Sequence, residues 1–203
     1  MNLTIYGIPK SRTMRTIWLA GELGIPYELK EKQPGTDDPW YRPINPNRKV
    51  PSIDADGFTL WESMAINIYL AKKHGSPLIG KTLEDEADVL RWTFFAVTEV
   101  EQKQLELVVQ RLLLPPDRRD ARRDAEAVDA LKRPYGVLDQ QLSQHAYLRG
   151  AEFSLADLNV AGVLYSVRVM SFDLSGFPHL DAWLTRCLDR PAAKHARSLR
   201  GGP

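Results

Sequence analysis

The chain has 203 residues, of which 43% are hydrophobic and 26% charged, the composition of an ordinary globular protein with room for one large or two small domains. Its 27 basic and 26 acidic residues leave a net charge of +1, so bulk electrostatics give no reason to expect a nucleic acid or an anionic membrane as partner. The single cysteine, Cys187, excludes an internal disulfide framework and any Cys-x-x-Cys redox or zinc site; no metal is expected, and without a membrane-length apolar run or a signal-peptide pattern in MNLTIYG the expected location is the cytoplasm.

Leu3-Thr4-Ile5-Tyr6 reads as a short strand closed by Gly7. After the loop Ile8-Pro9-Lys10-Ser11, a helix is expected to bury Met14, Ile17, Trp18 and Leu23 and to stop at Gly24. Pro26 then opens a second strand in which Tyr27 and Leu29 alternate with Glu28 and Lys30. Strand, helix, strand in that order implies a βαβ unit with a parallel pair. Four prolines between Gln33 and Asn47 mark an irregular connection holding at most one short helix.

The most informative stretch runs from Arg48 to Tyr69. Val50-Pro51 opens an apolar run, and Asp56-Gly57 calls for a tight type I′ turn, so Phe58-Thr59-Leu60-Trp61 returns antiparallel as a hairpin. Glu62-Ser63 stands immediately before a helical pattern that ends at Gly75, which puts Ser63 at a helix N-terminus, where free backbone N–H groups and the helix dipole favour a carboxylate. A proline at the head of a strand is one of the few places where a cis peptide is tolerated; a cis bond would turn the Val50 backbone groups toward a ligand. An extended peptide could pair with Val50 as an added strand while its far carboxylate reached Ser63, a docking site for a short anionic peptide. Taken singly, Ser63 reads as a helix cap and Val50-Pro51 as a plain strand start.

The pattern changes around Ser76 to Gly80, where the domain linker is placed, giving domains 1–78 and 84–203. Thr82 to Leu114 reads as one long helix with Ala87, Leu90, Phe94, Val97, Leu105, Val108 and Leu112 available to a packed face, ended by Pro115-Pro116. The mixed-charge block 117–127 reads as a solvated helix start, since its acids offset most of its arginines. Pro134 is placed to kink the following helix. Ser154 and Asp157 form a shortened capping box with Phe153 and Leu158 as a hydrophobic staple, opening a helix apolar almost all round. A last short helix follows Arg190-Pro191.

Lys49-Val50-Pro51, the hairpin and Glu62-Ser63 at a helix head together resemble the glutathione site of the cytosolic glutathione transferases, and the resemblance runs over nearly the whole chain, including Ser154-x-x-Asp157 and the ending. It implies an α/β plus all-α fold, a thioredoxin-like N-terminal domain of order βαβαββα followed by an all-helical bundle domain. It also implies that Val50 pairs with the cysteinyl backbone of glutathione, the co-substrate, and that Glu62 and Ser63 hold its γ-glutamyl group. In serine-type members the activating hydroxyl lies in the loop after the first strand; Ser11 matches it best, with Thr13 and Tyr6 as the other candidates. Such a hydroxyl stabilises the thiolate, whose free pKa is about 8.5.

The absence of cysteine from residues 7–13 departs from the thiol-transfer and dehydroascorbate-type members, which need a nucleophile able to form a mixed disulfide. Lys49 stands where several classes have glutamine, and its ammonium is placed to pair with a glutathione carboxylate. The implied activity is conjugation of the thiolate to a small hydrophobic electrophile, held in a pocket lined by Trp92, Phe95 and Thr98. A non-catalytic glutathione-binding relative, or a glutathione-dependent isomerase or dehalogenase, remains the alternative. The implied assembly is a homodimer.

Overall fold

The computed structural model describes residues 2–201 and divides by packing into two compact units. The first contains the chain up to Lys81 together with the segment from Asp189 onward; the second is Thr82–Leu188. The last helix therefore packs with the first unit, unlike the boundary 84–203 drawn from the sequence.

In the first unit, β1 (Leu3–Tyr6), α1 (Thr13–Leu23) and β2 (Glu28–Lys30) form the βαβ unit, and β3 (Ser52–Ala55), β4 (Phe58–Trp61) and α2 (Ser63–Lys73) follow. The sheet order is β2-β1-β3-β4, with β1 and β2 parallel and the other two pairings antiparallel. The hairpin turn has φ of 56° at Asp56 and 88° at Gly57. Two positive φ values in succession are what a type I′ turn requires, and Asp-Gly supplies them cheaply. Gly24 closes α1 in the left-handed conformation, its N–H bonding the Ala20 and Gly21 carbonyls. Met14, Ile17 and Trp18 are buried as expected, while Leu23 is only half-buried.

Between β2 and β3 the described chain forms turns and no helix, so the second helix of βαβαββα is replaced by the turns around Asp38 to Ile44. Prolines at 34, 39, 43 and 46 deny this segment the N–H groups of a helix ladder.

The second unit is helical: α3 (Leu83–Phe95), α4 (Gln102–Val108), α5 (Ala121–Gln144), α6 (Leu155–Val169) and α7 (Pro178–Leu188). Thr82 and Asp85 form a reciprocal capping box at the start of α3. Wide π-helical turns span Ala96–Glu101 and Val109–Leu113 on either side of α4. They change the face that is buried. Val89, Trp92, Ala96, Val100, Gln104 and Leu107 point inward, whereas Phe94, Leu105 and Leu112, expected in the core, are exposed. Pro134 lies inside α5, which continues to Gln144. Asp120 caps α5 by accepting from the Arg122 and Arg123 N–H groups, and the charged block does start a helix. The helix α8 (Pro191–Ser198) returns to the first unit and meets α1 where Gly21 faces Ala192; a Cβ at 21 would lie 3.0 Å from the Ala192 Cβ.

Candidate functional site

Arg12, Lys49, Val50, Pro51, Glu62 and Ser63, with Asn45, line one pocket in the first unit. Five of these, Lys49 through Pro51 with Glu62 and Ser63, are the residues singled out from the sequence as ligand-binding. The hairpin explains the convergence: β3 leaves the pocket just after Pro51, β4 returns to it at Trp61, and Ser52 pairs with Trp61 across the ladder. The Val50-Pro51 peptide is cis.

Glu62 enters α2 with φ 74° and ψ 111°, a conformation rarely adopted by a residue with a Cβ and costing roughly 1–3 kcal/mol. Among the described residues no side chain caps α2, and its first turn carries no acid. The free amides at the helix head therefore meet the pocket with their positive dipole end intact, and Ser63, 5% exposed, stands among them. Arg12 adds a cation from the start of α1. With Lys49 the pocket carries two cations against one acid, Glu62, which suits an anionic peptide carrying carboxylates.

Ser11 does not line that pocket, although the next residue does. Its hydroxyl donates to the Ile8 carbonyl at 2.7 Å and accepts from the Thr13 N–H, the first amide of α1, at 3.1 Å, while Arg12 holds the N-cap position. Its oxygen lies 2.8 Å from Thr13 Oγ1. With the Ser11 proton on Ile8, the hydroxyl of Thr13 donates to Ser11. Thr13 is fully buried and faces Gly7, where a Cβ would lie 2.1 Å from Thr13 Oγ1; Ser11 is half-buried. Tyr6 is 8% exposed and packs among Tyr41, Val50 and Ile44, with the Trp40 and Tyr41 rings each 6.0 Å away.

Three residues on the irregular connection went unmarked in the sequence. The Lys49 carbonyl accepts from the Tyr41 hydroxyl and from Asn45 Nδ2, each at 2.8 Å. Burial pushes the Tyr41 phenol up, against the pull of its Ser52 and Asn45 hydrogen bonds. Lys32, 2% exposed, pairs with Asp38 at 2.9 Å. The only local signal among them was Asn45 ahead of Pro46-Asn47: its Oδ1 accepts from the Asn47 N–H, an Asx turn.

In the second unit, Trp92 is 5% exposed and its indole N–H has no partner among the described residues. Phe95 packs edge-on against it at 5.7 Å, and Thr98 is exposed with its hydroxyl donating to the Phe94 carbonyl. Among the described residues no helix is long and apolar enough to cross a membrane and no cluster of side chains could hold a metal.

Residues 1–72 match the family model for the glutathione S-transferase N-terminal domain and residues 103–191 the model for the C-terminal domain. The chain is 29% identical to glutathione S-transferase D7 of Drosophila melanogaster over 90% of its own length and 83% of the relative's. It is 30% identical to elongation factor 1-gamma of Prunus avium over 93% of its own length, and spans 46% of that protein. The crystal structure of the theta class glutathione S-transferase of Xanthomonas axonopodis pv. citri with glutathione bound superposes with a TM-score of 0.89 at 30% identity, covering 96% of each chain.

Proposed function

The chain belongs to the glutathione S-transferase family, and we propose that it conjugates the thiolate of glutathione to small hydrophobic electrophiles. The observation that carries this reading is the convergence of Lys49, Val50, Pro51, Glu62 and Ser63 on one pocket at the uncapped head of α2. The cysteinyl backbone of glutathione pairs with Val50. Its γ-glutamyl group lies at Ser63 and Glu62, the carboxylate against the helix amides and the ammonium toward Glu62, and Lys49 and Arg12 supply positive charge for the remaining carboxylate.

Ser11 is the hydroxyl assigned to the sulfur. It is more accessible than Thr13, and the Thr13 hydroxyl orients it. To donate to sulfur it gives up its bond to the Ile8 carbonyl, a neutral acceptor exchanged for an anionic one. The thiolate electron pair then forms the C–S bond as the leaving group departs with its own pair, or as an activated double bond takes up the electrons and a proton. The homodimer belongs to the same reading; light scattering at twice the 23.0 kDa chain mass is its check.

The test is the pair Ser63→Ala and Ser11→Ala, assayed by calorimetry with glutathione and by turnover of aryl halides, isothiocyanates and peroxides. Ser63→Ala should weaken binding by about 1–3 kcal/mol. Ser11→Ala should bind normally but turn over roughly ten- to a hundredfold more slowly, with its pH profile moved to alkaline values as the bound thiol becomes less acidic. An unmoved profile in Ser11→Ala overturns the role of that residue. A second reading, a glutathione-binding protein without catalysis, is favoured by the engaged Ser11 proton and by the likeness to elongation factor 1-gamma. Binding without turnover of any electrophile in the panel would establish it.

A further inference from the structure

Beneath the pocket, buried polar side chains converge on one peptide group. The Lys49 carbonyl oxygen accepts from Tyr41 and from Asn45, each at 2.8 Å. Since the single Tyr41 proton goes to that carbonyl, its oxygen takes the proton of Ser52 Oγ, 2.7 Å away. Tyr41 and Ser52 are 0% exposed and Asn45 1%. Lys32 closes the cluster from below, its ammonium 4.9 Å from the Tyr41 ring centroid and donating to the Gln33 and Thr36 carbonyls at 2.6 and 3.0 Å.

We propose that this cluster, centred on Tyr41, aims the Val50 backbone at the ligand, and that Tyr41 is a positioning residue for the cysteinyl part of glutathione; this rests on the glutathione reading of the pocket. The reasoning is geometric. In a planar trans peptide the carbonyl and the N–H point in opposite directions. Two donors holding the Lys49 carbonyl on the buried side therefore direct the Val50 N–H away from it, and Val50 lines the pocket. That N–H has no backbone partner among the described residues. A cluster serving only to fill space would be apolar, because burying hydroxyls, an amide and an ammonium costs solvation that packing alone does not return. Here Tyr41 and Asn45 bear directly on the one peptide of the loop that carries the ligand-facing donor, and Ser52 and Lys32 bear on Tyr41.

Tyr41→Phe removes the hydroxyl, keeps the ring, and leaves the Lys49 carbonyl its Asn45 donor. Affinity is measured by calorimetry for glutathione and for γ-glutamylcysteamine, which keeps the γ-glutamyl group and thiol but has no cysteinyl carbonyl to accept from Val50. Tyr41→Phe should weaken glutathione about tenfold, the loss of one hydrogen bond's alignment, and leave γ-glutamylcysteamine within about twofold of the wild type. KM for glutathione should rise while kcat at saturation holds. Ser63→Ala should weaken both ligands. Equal loss of both ligands in Tyr41→Phe, or loss of neither, overturns the inference. If Tyr41→Phe does not fold, Ser52→Ala carries the same test by removing the donor to the Tyr41 oxygen, with the same selectivity expected and the same two outcomes against it. A wild type that binds neither ligand overturns the glutathione reading itself, and this inference with it. A wild type that binds glutathione beside an unaffected Tyr41→Phe overturns this inference alone.

Discussion

Replacing Asp157 by Asn tests how the helical unit is held together, because the carboxylate satisfies four donors at once. Its Oδ1 accepts from the Leu148 N–H at 2.8 Å and the Trp183 indole N–H at 2.9 Å. Its Oδ2 accepts from the Ser154 N–H at 2.9 Å and the Ser154 hydroxyl at 2.7 Å. The residue is fully buried, so water cannot take over any of the four. An Asn has one acceptor oxygen; turned toward the cap at Ser154, it presents an NH2 group to Leu148 and Trp183 and orphans both donors. Two unsatisfied buried donors cost about 2–6 kcal/mol. Removing a buried charge offsets the upper part of that range, which leaves an expected loss of about 2–4 kcal/mol. Urea unfolding followed by tryptophan fluorescence measures it. In a double-mutant cycle, Asp157→Asn and Trp183→Phe should couple by about 1–2 kcal/mol. A loss below about 0.5 kcal/mol in Asp157→Asn, or additivity with Trp183→Phe, refutes the reasoning.

The pH dependence of the same pair of proteins adds a sign. Burial pushes the Asp157 carboxyl up, against the four hydrogen bonds that pull it down. A raised folded pKa means a contribution fully present below the unfolded value of about 3.9 and lost as pH rises through the folded value. The stability gap between wild type and Asp157→Asn should therefore narrow from acid pH toward neutrality. A gap that widens would show that the four donors outweigh burial.

Gly7→Ala should be poorly tolerated, since its Cβ would fall 2.1 Å from Thr13 Oγ1 at a backbone φ of 148°. A destabilisation of about 1–3 kcal/mol is expected by thermal unfolding, with partial recovery in Gly7→Ala/Thr13→Ala. Arg190→Ala should cost about 3 kcal/mol: it removes a bidentate pair at 2.7 and 2.6 Å from Glu22, whose side chain is 8% exposed and keeps only the Trp18 indole among these donors. Glu22→Ala in the Arg190→Ala background should restore part of it, and denaturant midpoints of the two variants decide the point.

The parts of the fold that were legible in the sequence are those where one residue type solves a local backbone problem. Asp56-Gly57 supplies two positive φ angles and Gly24 a left-handed stop; Ser154 with Asp157 supplies a cap. Each acts within four residues, so spacing alone reveals it. The face of α3 and α4 was not legible because it depends on turn width. A π-helical turn advances the chain by more residues than an α turn, so the inward face drifts relative to a 3.6-residue template. Gln104 and Gln110 then take buried places that a hydrophobic pattern assigns to leucine or valine. Gln104 is tolerated there because its amide donates to the Val163 carbonyl and its oxygen accepts from the Tyr135 hydroxyl.

The site divides along the same line. Val50-Pro51 and Glu62-Ser63 announce themselves by chain position, one pair at a strand head and the other at a helix head. Lys32, Tyr41 and Asn45 lie on a connection with no period; the folded loop brings Tyr41 and Asn45 to the Lys49 carbonyl and Lys32 over the Tyr41 ring. The two hydroxyls near the head of α1 show the limit most sharply. As residue types Ser11 and Thr13 are interchangeable donors, and in the sequence only the resemblance to the serine-type members ranks Ser11 first. Burial adds a physical difference between them. Thr13 is closed in against Gly7, with its proton directed to the serine oxygen, so a ligand would have to displace the Gly7 backbone to reach it. In the proposed reaction Ser11 needs only to exchange the Ile8 carbonyl for a thiolate, while the Thr13 hydroxyl still donating to its oxygen makes the serine proton a better donor. On this geometry Thr13→Ala should slow turnover less than Ser11→Ala and shift the pH profile in the same direction.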